Sequence, residues 1–184
     1  IEQVPSSSPG PDSIPDSGGR KSSFIGIKPA LAQGGTYEIR VDTSASSYTG
    51  VSLKNGTMQM AYIDKPLIIR GGYHHSYAWD LPETDPDPIN YPVTLNAEGL
   101  GRVFYVNCSG DATIEAFNIT GGDGEEGLGE NAWGDAIYIE SVANAFLIQN
   151  NIRDNNTDNT YGYSAIYIDD RATLTENNIY NNDS

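Results

Sequence analysis

In Asp169-Asp170-Arg171 two carboxylates and a guanidinium directly follow an apolar run, and such a set can hold a cation or move a proton. The competing reading is a solvated turn whose surface ion pair is worth ~0–1 kcal/mol. Two acidic stretches are candidates for calcium, Asp123 through Asn131 and Asp80 through Asp87. Calcium takes about six to eight oxygens from flexible loops, and neither stretch has EF-hand spacing, so a solvated loop is the alternative. The ligand candidates are Asp123, Glu125 and Glu126, and calcium is the one cofactor the sequence suggests. His74 and His75 are adjacent, so in extended chain they point apart and make a poor metal pair. Cys108 is the sole cysteine, which excludes an internal disulfide. With no histidine near it in sequence, it reads as a core or turn residue rather than a nucleophile.

The other candidate surface is aromatic. If Ile137 and Ile139 point inward, period-2 alternation turns Tyr138 outward, and the same holds for Tyr105 and Tyr167. The three rings then form a column on an exposed sheet face. Such a column stabilises a sheet by stacking alone. It also suits a sugar or a protein partner, so Tyr105, Tyr138 and Tyr167 are the candidate binding face.

The elements that position these residues repeat. Ala136-Ile137-Tyr138-Ile139 through Asn150-Asn151-Ile152 recurs as Ala165-Ile166-Tyr167-Ile168 through Asn177-Asn178-Ile179, with a looser copy from Val103-Phe104-Tyr105-Val106 to Phe117-Asn118-Ile119. Phe104, Ile137 and Ile166 are equivalent, as are Val106, Ile139 and Ile168; Ile114, Leu147 and Leu174; and Ile119, Ile152 and Ile179. The steps are 33 and then 27 residues, so the apolar positions stay fixed while the loops vary. That pattern predicts a β-solenoid rather than a sandwich.

Asn118, Asn151 and Asn178 each precede the third-strand isoleucine. Asparagine tolerates the left-handed backbone of a sharp bend, and stacked amides can bond to one another as a ladder. Together with Lys65-Pro66-Leu67-Ile68-Ile69-Arg70-Gly71-Gly72-Tyr73, Tyr91-Pro92-Val93-Thr94-Leu95, Gly101-Arg102-Val103-Phe104-Tyr105 and Phe117-Asn118-Ile119-Thr120-Gly121-Gly122, this resembles the right-handed parallel β-helices of the pectate-lyase-like superfamily, in particular bacterial surface proteins. The resemblance covers residues 24–184 and implies an all-β, right-handed parallel β-helix. Its members include lyases, hydrolases, adhesins and structural proteins. A lyase of this kind would set an Arg or Lys base beside calcium-holding carboxylates, which returns to Asp169, Asp170 and Arg171. Those carboxylates do not recur: Asp169 aligns with Glu140, then with Asn107. A hydrolase would need two carboxylates across a cleft. The expectation is therefore not an enzyme; if one, a polysaccharide lyase or glycoside hydrolase.

Residues 1–22 are rich in Pro, Ser and Gly with few apolar side chains, which predicts a linker or an arm that orders against a partner. Residues 23–184 are the solenoid, its amino end covered by residues 24–41 with a short capping helix over Pro29–Gln33. The last repeat is complete but uncapped, so this end is either continued in a longer protein or covered by another molecule. The first residue is Ile1, as expected of a processed form or a fragment. A formal charge of −15 argues against nucleic acid and anionic membranes as partners. No apolar run is long enough to span a bilayer. Sequons at Asn55, Asn107, Asn118, Asn155 and Asn182 fit an extracellular setting. These readings converge on a secreted or cell-surface structural or adhesive solenoid, a subunit of a larger assembly or filament, with polysaccharide binding as the alternative.

Overall fold

The computed structural model describes residues 29–31, 37–54, 56–74, 85–124, 134–141, 144–156 and 164–182. The expected arm at residues 1–22, His75, the sequon at Asn55 and the calcium candidates Glu125 and Glu126 lie outside them. The described chain is all β. Its strands are β1 (Pro29–Leu31), β2 (Tyr37–Asp42), β3 (Tyr48–Thr49), β4 (Ser52–Lys54), β5 (Thr57–Ile63), β6 (Leu67–Tyr73), β7 (Val93–Asn96) and β8 (Arg102–Asn107). There follow β9 (Ala112–Glu115), β10 (Phe117–Thr120), β11 (Ile137–Ser141), β12 (Ala145–Ile148), β13 (Asn151–Arg153), β14 (Ile166–Ile168), β15 (Ala172–Thr175) and β16 (Asn178–Tyr180).

They form three sheets: sheet I in the order β1-β2-β6-β9-β12-β15, sheet II in the order β16-β13-β10-β7-β3, and sheet III in the order β14-β11-β8-β5-β4. From β5 onward the chain visits III, I and II in constant rotation, and from β6 onward each strand pairs parallel with its equivalent one circuit earlier. This topology is compatible with a β-helix. The register matches the sequence alignment: Phe104, Ile137 and Ile166 are paired, as are Ile114, Leu147 and Leu174, and Ile119, Ile152 and Ile179. Because side chains alternate, this register sends one apolar row from each sheet into a common core. Val93, Phe104, Ile119, Ile137, Leu147 and Ile152 are fully buried there.

The expected capping helix is not formed at residues 29–31. They make strand β1, antiparallel on β2, at the edge of sheet I. Pro29 begins that strand, where a residue without an N–H is tolerated. Strand β4 closes sheet III in the same way, antiparallel on β5. The end formed by β2–β5 is thus terminated by reversed strands, which do not repeat the parallel pattern.

The corners are where the bends differ from expectation. The left-handed residues between sheets I and II are Ala116, Gln149 and Glu176 (φ 64°, 53° and 55°), two positions before Asn118, Asn151 and Asn178. Those asparagines do stand in register, but on the outward side of sheet II, where Asn151 Nδ2 donates to Asn118 Oδ1 at 3.2 Å. The buried amides are their neighbours. Asn150 Oδ1 accepts the Phe117 N–H (3.1 Å), while its Nδ2 donates to Ile114 O (2.8 Å) and to Asn177 Oδ1 (3.1 Å). Asn177 repeats the move on Leu147 O at 2.6 Å.

A second column sits at the other end of sheet II. Asn155 Oδ1 accepts the Gly122 N–H (2.8 Å), and its Nδ2 donates to Ile119 O (3.2 Å) and Asn182 Oδ1 (2.8 Å). Asn182 in turn reaches Ile152 O at 2.8 Å. The corner residues beside it, Gly121, Asp154 and Asn181, are again left-handed. A strand that leaves its sheet at a bend loses ladder partners, and these amides supply them. Two of the sequon asparagines belong to this column: in Asn155, 1% exposed, and in Asn182 the Nδ2 through which a glycan would be attached makes these hydrogen bonds.

The two rows make opposite predictions. Asn150→Ala strands a buried N–H and a buried carbonyl and should cost about 2–4 kcal/mol in urea denaturation. Asn151→Ala, one residue away on the outward row, should cost less than ~1 kcal/mol. Equal losses would mean that the inner column does not hold the corner.

Candidate functional site

On the outward side of sheet III the register stacks four tyrosines, one more than the sequence alignment reached. Tyr62, Tyr105, Tyr138 and Tyr167 are paired in order. Successive ring centroids are 5.1, 5.0 and 5.2 Å apart, with the first and last pairs nearly coplanar. The face differs from the exposed one expected: Tyr138 keeps 7% of its surface and the other three are half-buried. The rings spend their faces on one another. Lys54 Nζ lies 4.2 Å from the Tyr62 centroid and pairs with Asp64 Oδ2 at 2.8 Å, so a cation closes the near end of the stack. The buried Arg102 guanidinium lies 5.1 Å from the Tyr138 ring, and its Nε donates to Gly134 O at 3.2 Å.

Burial and the neighbouring Glu140 carboxylate push the Tyr105 hydroxyl far above its usual range; burial also raises Tyr138. Tyr105 and Tyr138 are therefore uncharged at any physiological pH. Beside it runs a second outward row, Asp64, Asn107, Glu140 and Asp169, in which the Asn107 amide donates to the Glu140 carboxylate. That bond occupies the nitrogen of the Asn107 sequon.

Asp169, Asp170 and Arg171 are placed together, exposed, in the turn between β14 and β15. Asp169 N donates to Ile139 O at 2.9 Å, and Arg171 O accepts from Ala145 N at 3.0 Å, both of them sheet-continuing bonds. Asp123 Oδ2 accepts from Asn156 Nδ2 at 3.1 Å, and among the described residues no three His, Cys, Asp or Glu side chains gather as a metal site. His74 meets the edge of Tyr91 at 5.2 Å, and the buried Cys108 thiol donates to Gly110 O at 3.3 Å.

Two features were not reached from sequence. On the outward face of sheet I, Arg70 bridges Glu115 (2.6 Å) and Glu38 (3.3 Å), and Arg40 meets Glu38 at 2.9 Å. Arg40 and Arg70 are register partners, a signal visible only once Ile39 and Ile69 are aligned. The second is a groove of about 470 Å³ between the turn at residues 86–89 and the outward asparagine row of sheet II. Its turn belongs to an insertion that no repeat contains.

Lys54 depresses the Asp64 carboxyl below its ordinary 3.8, mainly through their hydrogen bond. The pair thus stabilises the fold above that value, and the contribution is lost as pH falls through the depressed folded pKa. Lys54→Met should return Asp64 toward 3.8 in a carbon-detected NMR titration, at a stability cost at neutral pH of ~0–1 kcal/mol for so exposed a pair. An unmoved Asp64 would show that the lysine is not held over Tyr62. Compared with protein-family models, curated proteins and solved structures, the chain matches none of them.

Proposed function

We propose that this chain is a structural or adhesive element working outside the cell, a right-handed parallel β-helix of the pectate-lyase-like type that assembles through the face made by β14, β15 and β16. One observation carries the reading. Ile168, Leu174 and Ile179 occupy the inward positions that Ile139, Leu147 and Ile152 fill one circuit earlier, yet they are 38%, 43% and 45% exposed. Among the described residues their strands lie at the edges of the three sheets, a face that one further circuit, of the same chain or of another molecule, would cover. Such an apolar patch beside strand edges suits strand addition. The charge of −15 fits a solenoid kept soluble by self-repulsion and away from anionic surfaces.

Polysaccharide binding is the second reading. Mutual stacking and the burial of Tyr138 leave little ring face for a sugar on the tyrosine column. The observation that favours it is the open groove on sheet II, whose lining sets amides opposite apolar side chains.

Light scattering during size-exclusion chromatography tests the first reading. The chain should run as an oligomer whose mass rises with concentration, and Leu174→Lys with Ile179→Lys should return it to monomer with an unchanged β spectrum. A wild-type chain that stays monomeric at ~100 μM, far above the ~μM dissociation constants of ordinary interfaces, would sink the assembly.

A further inference from the structure

We infer that the groove between the turn at residues 86–89 and the outer face of sheet II binds a neutral oligosaccharide lying along the stack. The inference rests on the second reading above, not on the assembly, and it places the ligand on sheet II instead of on the tyrosines. About 470 Å³ is within the range of ordinary ligand sites.

The wall of the groove is built, not slack. Asp87 N donates to Gly72 O (2.9 Å), and Tyr91 N donates back to Asp87 O (2.9 Å). The Asp87 carboxylate accepts from the N–H groups of Ile89 (3.2 Å) and Asn90 (2.9 Å) and from Asn90 Nδ2 (2.7 Å). Gly72, at φ 76°, allows this closeness: a Cβ there would lie 2.9 Å from Asp87 N. So held, the turn presents Pro86, Pro88 and an Ile89 that is 89% exposed. A branched apolar side chain fixed in water beside a groove costs solvation unless something covers it.

The floor is a row of three amides, Asn118, Asn151 and Asn178, register partners recurring every ~4.8 Å as adjacent strands do. Asn118 reaches its further register partner Thr94 at 3.5 Å and Asn151 reaches Asn118, but the Asn178 side chain makes no hydrogen bond among the described residues. Each amide both donates and accepts, as does a sugar hydroxyl. Apolar ribs opposite amides match the two kinds of surface on a pyranose ring, its C–H face and its hydroxyl edge.

Charge selects among the polymers. Among the described residues no lysine or arginine lines the groove, so an anionic chain finds no cationic partner in that lining and meets a protein of charge −15. Its two carboxylates are engaged, Asp87 within its own turn and Glu176 by Gln149 Nε2 at 2.8 Å, which leaves little for a cationic ligand. An extended peptide would seek free backbone groups, and those of β10 and β13 inside the groove are spent in the parallel ladder.

The test is an NMR titration of the whole chain with neutral cello-, xylo-, manno- and chito-oligosaccharides, alongside oligogalacturonate and an asparagine-rich peptide. At least one neutral sugar should shift the side-chain amides of Asn118, Asn151 and Asn178. Ile89→Asp and Asn178→Ala, both at exposed positions, should each weaken that binding about tenfold, ~1.4 kcal/mol. Shifts confined to Tyr62, Tyr105, Tyr138 and Tyr167 would overturn the groove while keeping a polysaccharide binder. Binding only by the acidic sugar would overturn the neutral-ligand groove while keeping a polysaccharide binder, and binding by no sugar at ~1 mM, or only by the peptide, would overturn both the groove and the second reading.

Discussion

Strands laid parallel in register form hydrogen bonds only if every circuit returns to the same rise and the same facing of its side chains. The corners are where that return is hardest to arrange. At the bends around β10, β13 and β16 one residue is held in left-handed backbone, at about 1–2 kcal/mol wherever it is not glycine as at Gly121, and a strand-end N–H and a carbonyl lose their ladder partners. Asn150 with Asn177, and Asn155 with Asn182, restore both bonds and hand one donor to the next circuit. Everything outside the core inherits its position from that closure. A slip of one residue would exchange the buried isoleucines for the outward amides and tyrosines.

In-register stacking also explains why surface columns are a poor guide to function here. A tyrosine at one outward position meets a tyrosine in the next circuit, and the ring faces are satisfied without any ligand. The same holds for Glu38, Arg40, Arg70 and Glu115, whose opposite charges pair across the outward face of sheet I and neutralise one another. Such pairs, half-removed from water, hold because each carries a hydrogen-bonded opposite charge. The informative surface is where a column stops or where an element outside the repeat leans over it. Residues 86–89 lean over the sheet II amides, and the apolar rows stop at Ile168, Leu174 and Ile179.

Most of the parallel stack from β8 onward was legible, because Phe104, Ile114 and Ile119 recur with apolar partners at fixed offsets and a misregister has no alternative set to bury. The earlier circuits were not. Ala61 and Ile63 do share the register of Phe104 and Val106, but β5 is preceded by a reversed strand and followed by a short turn that hide the period. The inner asparagine column escaped for a chemical reason. Its slot in the first full repeat holds Phe117, whereas the outward row is asparagine in all three, so alignment favoured the more uniform row over the more important one. Neither the groove nor the arginine pair has a local signature. Asp87 reaches sheet II only through an insertion packed on Gly72, and Arg70 meets Glu115 from a distant part of the chain.

The two proposed surfaces meet at Asn178. It is the outermost amide of the groove floor, and its strand β16 is also an edge of sheet II. A strand added there would carry the amide row onward along the same line, since parallel pairing preserves which side chains face out. Assembly along the stack would leave the groove open, because the groove lies on a flank of the sheets and the assembly face lies across their ends. It would also lengthen the groove rung by rung. A polymer that touches one amide per circuit gains little from a single chain and more from each added circuit, since later contacts are made from an already bound ligand. Under the two proposals, stacking and holding a long neutral chain would be one design: the contacts that extend the scaffold would also extend its binding surface.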